Sequence, residues 1–560
     1  MALLKLSAMS SLAAAIVMAS LTPATLAQGD APMPNPPTFP DENPPIPNQD
    51  ILGKFLFWEE QVSVDNTVAC GTCHIHEAGG SDPRVVDPGS SAPGPDGILG
   101  TEDDAIGSRG IVRVDAAAGV YVHNGVFGNG AQVTPRKTPT MINAVYFNEL
   151  FWDGRAPEAY TDPQTGLVEI PYLGALESQA AGPPLSDVEM GGVNQSWDRI
   201  ADKLVTAKPL ALGTDLPPEM ADFLANFPSY PAMFEEVYGT PEITSKRIMF
   251  AIANYERTLI SDETVLDSFL KGEIDTFPTP GMQLGFDLFQ GAANCATCHT
   301  LPFAMDFDYH NIGVRPDADD IGRMEVTGDP ADIAKFKTPN IRNAKLRGAL
   351  FHNGSAATVR ELVEFYDRGG DFNDGNLDEN IIVLNLTEAE IDGLVEFIED
   401  GATDPRVENR LHPFTRPTLR SELPSLNTSY GVASEAGPGE FATILGNQVA
   451  NLGNSDYLIG LNSPSPNAPA IMALSFLPDP SGTPLPDPRN PVPVNLDLGT
   501  LVLRQATMTD ANGMGTFALP INNNPVLAGL NFYAQWFVYD VAAVATGGVY
   551  GTEGLEVTIL

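Results

Sequence analysis

The chain has 560 residues and carries 72 acidic against 30 basic side chains, a formal charge of −42. Nucleic acid is disfavoured as a partner by that balance, because phosphate contacts need clustered Lys and Arg. The acidity suits a basic protein partner steered to the surface, or simply a solubilising coat.

Taken in chain order, Lys5 precedes an apolar run from Leu12 to Leu21, and Thr25-Leu26-Ala27 offers a small-residue cleavage site. Residues 1–27 therefore read as a secretory signal peptide. A membrane anchor competes, but the run is shorter than the ~20 apolar residues a spanning helix needs. No later segment is apolar for long enough to span a bilayer. The mature protein is expected to be periplasmic or otherwise exported, with no stable membrane insertion. Residues 28–48 are Pro-rich and without helical period, a linker.

An internal repeat follows. Gly53-x-x-Leu56-Phe57 precedes a first Cys pair, Cys70 and Cys73, and Gly285-x-x-Leu288-Phe289 precedes a second, Cys295 and Cys298. Lys137-Thr138-Pro139-x-x-x-Asn143-Ala144 recurs as Lys337-Thr338-Pro339-x-x-x-Asn343-Ala344. Phe151-Trp152-Asp153-Gly154 recurs as Phe351-His352-Asn353-Gly354. The later matches are offset by 200 residues and the Cys pairs by 225, so the first half holds about 25 extra residues. The Asp/Gly/Pro-rich stretch 87–110 supplies them. Helical signals dominate both halves: Thr387-x-x-Glu390 is a capping box, Ile391, Leu394, Val395 and Ile398 form one stripe, and Gly401 ends the run.

After about residue 416 lysine disappears, and after Arg420 only Arg489 and Arg504 are basic. The runs Asp456–Asn462, Ala470–Leu477, Val494–Arg504 and Val526–Val541 read as strands. In the last, Leu530, Phe532, Ala534, Trp536 and Val538 alternate with Asn531, Tyr533 and Gln535. The expected architecture is mainly α: two tandem units, 49–240 with its insert and 241–415, followed by an all-β sandwich-like domain over 416–560. That last domain has no His or Cys and receives no chemistry.

All four cysteines lie in two C-x-x-C-H units, completed by His74 and His299. Two sulfurs separated by two residues reach the two vinyl groups of a haem, and the next residue, His, coordinates its iron. A redox dithiol and a four-cysteine zinc site compete, but neither requires a His after the second Cys. Two covalent c-type haems are expected, and with them a division into two cytochrome c-type domains.

The Leu52-Gly53-Lys54-x-Leu56-Phe57, Phe151-Trp152-Asp153-Gly154-Arg155-Ala156, Gln179, Glu189-Met190, Phe336-Lys337-Thr338-Pro339 and Phe351-His352-Asn353-Gly354 elements resemble the bacterial di-haem cytochrome c peroxidase/MauG family over roughly residues 49–410. The resemblance implies a peroxidase or oxidase acting on hydrogen peroxide, the first haem being open to peroxide. Glu189 then assists O–O cleavage by moving a proton, Gln179 orients the peroxide, and Trp152 lies between the haems as a stepping stone for electrons. Electrons come from an unidentified donor, a small cytochrome or cupredoxin. Arg155 pairs with a haem propionate or with Asp153.

Ordinary members place an axial Met where this chain has Tyr366, and MauG-type members place a Tyr there. Phenolate oxygen stabilises oxidised iron, whereas thioether sulfur favours reduced iron. Met305 and Met324 are the competing ligands. Asn129 stands where a blocking His is expected, so the first haem is expected to be open at rest, with His123 or His76 as outside candidates to close it. The family's inter-domain calcium position carries Lys137, with Arg347 and Ala349 opposite, and a Lys ammonium can replace the cation. The insert around Asp96, Asp103 and Asp104 could hold calcium instead, or form a plain Asp/Gly turn. His310 and His352 could bond a propionate, and His412 reads as solvated. The alternative to an enzyme is a non-catalytic di-haem electron-transfer cytochrome.

Overall fold

The repeat read in sequence is a repeat in space. In the computed structural model, which describes residues 37–484, 492–542 and 548–560, the helix Gln49–Phe57 packs on Ser245–Glu256, and Pro280–Gln290 packs on Glu388–Glu396. Both crossings need a glycine. A Cβ at Gly53 would stand 1.9 Å from the Ala251 carbonyl, and one at Gly285 the same 1.9 Å from that of Gly393. The signal-peptide segment and residues 28–36 of the linker lie outside the described residues.

The other repeated motifs adopt matching backbones. Asn143 and Asn343 are left-handed, with φ of 63° and 62°, and so are Phe151 and Phe351 at 66° and 65°. The bridges Leu150–Ala156 and Leu350–Ala356 close equivalent turns. These turns also tie the halves together reciprocally. The Lys137 N–H donates to the His352 carbonyl at 2.8 Å, and the Lys337 N–H to the Trp152 carbonyl at 2.8 Å. Each half's Lys-Thr-Pro segment is thus capped by the other half's aromatic turn.

Helix starts follow local chemistry. Ser229, Thr244, Thr264, Thr279, Thr358 and Thr387 each accept a backbone N–H at an N-terminus. The Thr387–Glu390 capping box is formed, with Ile391, Leu394 and Ile398 buried beneath it. The helices are short, however, so the expectation of a mainly α chain needs correction. Loops and small hairpins make up much of the two halves, and the described C-terminal part consists of strands, loops and a few single helical turns. In the insert region, Ser91–Ala92 pairs with Ala105–Ile106, Arg109–Val112 with Ala131–Val133, and Val114–Asp115 with Val120–Tyr121. The insert also reaches the second half: the Ile106 N–H donates to the Asn353 carbonyl, and Arg315 donates to the carbonyls of Asp103 and Asp104.

Beyond residue 427 an antiparallel sheet runs in the order Thr428–Tyr430, Gly554–Thr558, Asn531–Tyr539, Pro469–Ser475, Leu501–Met508. A smaller sheet joins Thr443–Leu445, Leu458–Asn462 and Met514–Ala518. Phe532, Ala534, Trp536 and Val538 are buried along one strand face. Leu530 precedes the strand and is exposed, and Gln535 is buried because its amide bonds the Asn495 N–H and the Thr552 carbonyl. The expected Val494–Arg504 strand is two strands, Pro493–Leu496 and Leu501–Met508, broken by a turn at Leu498–Thr500.

This β part is docked rather than tethered. Leu458 and Met514 join the apolar core of the first half. Tyr121 donates its N–H to Thr516 Oγ1 at 3.0 Å and its hydroxyl to Asn447 at 2.7 Å. Glu60 accepts the N–H groups of Arg420 and Ser421, both at 2.8 Å.

Candidate active site

A single cavity of about 760 Å³ runs between the two halves. Its wall takes His74 from the first C-x-x-C-H unit and Cys295, Cys298 and His299 from the second. Gln179, Glu189, Trp152 and Tyr366 line the same space. These residues lie far apart in sequence and meet because the reciprocal turns bring the two repeats face to face.

The two histidines are held alike. His74 Nδ1 donates to the Gly80 carbonyl at 3.2 Å, and His299 Nδ1 to that of Ala304 at 3.0 Å. A carbonyl only accepts, so the proton sits on Nδ1 and Nε2 keeps its lone pair for a metal. Burial pushes His74 down to about 4 and lowers His299 as well, so both are neutral, as ligands must be. None of the four cysteines is paired in a disulfide. Burial pushes Cys73 and Cys295 up to about 12, which is the opposite of the low-pKa thiolate a redox dithiol needs. Paired sulfurs beside a carbonyl-anchored His recur in both halves and fit a haem in each, although of the four cysteines only Cys295 and Cys298 are among the described cavity-lining residues.

Glu189 lies in a turn closed by the Met190 and Gly191 N–H groups on the Ser186 carbonyl. Its own carbonyl accepts the Ile111 N–H at 3.1 Å, so the insert hairpin holds the loop. Burial raises its carboxyl above the ordinary range, opposed by Ser186 and Arg155. Gln179 borders the cavity from the Ala175–Ala180 helix. Trp152 Nε1 donates to the Lys137 carbonyl at 2.7 Å, its ring 6.4 Å from that of His352, which stacks on Phe336 at 3.6 Å. Arg155 lies over the Phe151 ring and pairs with Asp153, which Arg136 also holds at 2.5 Å.

Tyr366 enters the second pocket from the Val359–Asp367 helix, its ring 5.3 Å from Phe365. Burial, and then the Cys295 and Cys298 sulfurs, raise its phenol above the usual value. Met305 and Met324 are not among the described cavity-lining residues, nor are His76, His123 and Asn129. Both ring nitrogens of His76 are engaged, by the Phe414 carbonyl at 2.7 Å and Tyr255 Oη at 3.1 Å. His310 lies between Asp306 and Asp378, at 2.9 and 2.6 Å. His352 Nε2 is buried without a hydrogen-bond partner, and His412 is exposed. Lys137 donates to Ser81 Oγ at 2.5 Å, and burial with Arg347 nearby lowers it to about 7. In the insert, Asp96, Asp103 and Asp104 accept backbone N–H groups of an exposed turn.

Two features were not read from the sequence. Asp320 takes two hydrogen bonds from Arg136, at 2.7 and 2.6 Å, joining the halves. Glu256 lines the cavity, its Oε2 buried and without a hydrogen-bond partner. The available signal was an acid closing a helix otherwise buried from Ile248 to Tyr255.

Residues 47–275 match the family model described as di-haem cytochrome c peroxidase. The chain is 28% identical over 431 residues to cytochrome-c peroxidase IdrP1 of Denitromonas iodatirespirans, covering 70% of this chain and 93% of that one. It is 28% identical over 324 residues to cytochrome c551 peroxidase of Nitrosomonas europaea, covering 57% and 72%. With methylamine utilization protein MauG of Methylorubrum extorquens it shares 26% over 369 residues, covering 65% and 81%. In its first half the chain is thus similar to the di-haem cytochrome c peroxidase model, and along most of its length to proteins named as cytochrome-c peroxidases and as MauG.

Proposed function

We propose that this chain is an exported haem peroxidase that reduces hydrogen peroxide at a first, open haem and passes electrons through a second. The observation that carries this reading is the single cavity shared by His74, His299, Glu189, Gln179, Trp152 and Tyr366. Cys70, Cys73 and His74 would hold one haem, and Cys295, Cys298 and His299 the other, each in its own tandem domain. Bound there, haem supplies redox-active iron that binds peroxide and exchanges electrons.

The chain's own groups handle protons and orientation. Glu189 takes the proton from the near peroxide oxygen and returns it to the departing one, so that water leaves rather than hydroxide. Gln179 donates its amide to the peroxide and orients it. Trp152, bonded to one half and beside His352 of the other, offers an aromatic path between the pockets. Tyr366 would help to hold the second haem, its phenol oxygen favouring oxidised iron. Its place in the cavity wall, which Met305 and Met324 do not share, supports this MauG-like assignment. Neither His76 nor His123 borders the cavity, which supports a first haem open at rest. Lys137 stands at the family's inter-domain calcium position, and its ammonium, held by Ser81, would replace the cation there although burial and Arg347 lower it to about 7.

The test is peroxide consumption by the purified ferric protein, with and without a reduced small cytochrome or cupredoxin. Reaction without prior reduction, and turnover sustained by the donor, are expected. A protein that exchanges electrons with the donor but leaves peroxide untouched is the non-catalytic electron carrier instead.

A further inference from the structure

Seven acids line the cavity: Asp103, Asp153, Glu189, Glu256, Asp319, Asp320 and Glu325. Arg136 pairs with Asp153, Asp320 and Glu325, Arg315 pairs with Asp319, and Asp103 is tied into its turn by Thr101 and the Asp96 N–H. Asp103, Glu189 and Glu256 have no cation within ion-pair distance among the described residues, and of these Asp103 is satisfied by its own turn. Glu189 has a role in the proposed chemistry. Glu256 has none, yet it is 5% exposed, and its Oε2 finds no partner.

The repeat provides an internal comparison. Gly53 meets Ala251 and Tyr255, and Gly285 meets Gly393 and Phe397 in the same way. This aligns Glu256 with Ile398, which is buried and lines the same cavity in the second half. The fold thus accepts an apolar side chain at this place, so the acid of the first half is not a packing requirement. A buried carboxyl without a partner costs free energy and persists where it has work to do.

We propose that Glu256 is the proton-exchanging carboxyl of the first pocket, taking up one proton when one electron enters that pocket and releasing it when the electron leaves. This rests on the haem reading above. In the oxidised pocket the carboxylate offsets the positive charge of the iron. One electron from a donor cancels that charge, and one proton from solvent then forms an O–H bond on the carboxylate. No other bond changes, and the pocket's net charge is conserved. In a low-dielectric cavity such compensation is strongly favoured.

The surroundings place the acid where it can titrate. Burial pushes Glu256 up to about 8, helped by Glu177 and opposed by Arg257. Glu177 of the Ala175–Ala180 helix is held by Arg257 at 2.8 Å. The Cys70 sulfur, from the Cys70–Cys73 helix, feels both Glu256 and Glu189. Lys54 of the Gln49–Phe57 helix is turned to Glu219, and the neighbouring Tyr255 hydroxyl meets His76 and Trp58.

The experiment is an electrode titration of both haems from neutral to alkaline pH, with reduced-minus-oxidised infrared difference spectra and no peroxide present. In the native protein the first haem's potential should fall with pH toward one proton per electron, and a protonated-carboxyl band should appear on reduction. Glu256→Gln and Glu256→Ile, the latter copying Ile398, should lose both slope and band while retaining two covalent haems. Glu189→Gln should keep them. Slope and band persisting in the Glu256 variants, or vanishing in Glu189→Gln instead, would overturn the proposal. If neither Glu256 variant keeps its first haem, the native spectrum decides, and absence of the band overturns it. Because no peroxide is used, a failed peroxidase reading would show separately, as absent turnover with the coupling intact.

Discussion

Glu189 and Tyr366 face the same cavity but should fail differently when changed. Glu189→Gln removes a proton-transfer group, so peroxide cleavage should slow by roughly 10²–10⁴-fold while both haem spectra stay nearly unchanged. Tyr366→Phe removes the phenol oxygen, so the second haem's spectrum should change first. Stopped-flow absorbance with peroxide separates the two, and an unchanged low-spin spectrum in Tyr366→Phe would make Tyr366 a packing residue. The residues proposed to attach haem could be named from the bare sequence, because a C-x-x-C-H unit carries its chemistry in five contiguous positions. Glu189, Gln179, Trp152 and Tyr366 were legible only through the family resemblance. Glu256 was not legible, since one acid among 72 looks like any other until its neighbours are known.

At the scale of elements, two helix crossings depend on Gly53 and Gly285. Gly53→Ala or Gly285→Ala would push a methyl to within 1.9 Å of a carbonyl oxygen, so each should cost about 1–3 kcal/mol through overpacking. Urea unfolding measures this, and a variant as stable as the parent would mean that the helices separate freely. The Gly-x-x-Leu-Phe repeat marked these positions as equivalent in the sequence without naming them helices, whereas Thr387 and Glu390 announced a helix directly. The sheet strands were less legible. Val494–Arg504 reads as one apolar run because nothing in its composition marks the turn at Leu498–Thr500. Buried Gln535 defeats simple alternation because its amide is satisfied by the backbone carbonyls of Pro493 and Thr552.

Across the whole molecule, the β part is joined to the first half by contacts that no local pattern encodes. Tyr121 meets Asn447 and Thr516 over more than three hundred residues of chain. Truncation after residue 415 should therefore lower the thermal midpoint of what remains. Tyr121→Phe, which leaves Asn447 without that donor, should cost about 1 kcal/mol. Glu60 gives the same junction a pH dependence. Burial pushes its carboxyl up to about 7, above the ordinary unfolded value. The stability it contributes is therefore full below the unfolded pKa and is lost as pH rises through about 7. Glu60→Gln should flatten that part of the melting-temperature profile, and an unchanged difference between acid and neutral pH would show that Glu60 does not govern the junction.

The repeated halves themselves were plain in the sequence. Their face-to-face arrangement was not, because it rests on two reciprocal backbone bonds, from Lys137 to His352 and from Lys337 to Trp152. On the proposed reading, that arrangement lets one cavity serve two unlike haems, which is the central claim. Electron paramagnetic resonance of the fully ferric protein tests it most directly. Two ferric haems in equal amount are predicted: one high-spin, in the first pocket, and one low-spin, whose signal is lost in Tyr366→Phe. Two low-spin signals, or one haem alone, would contradict it.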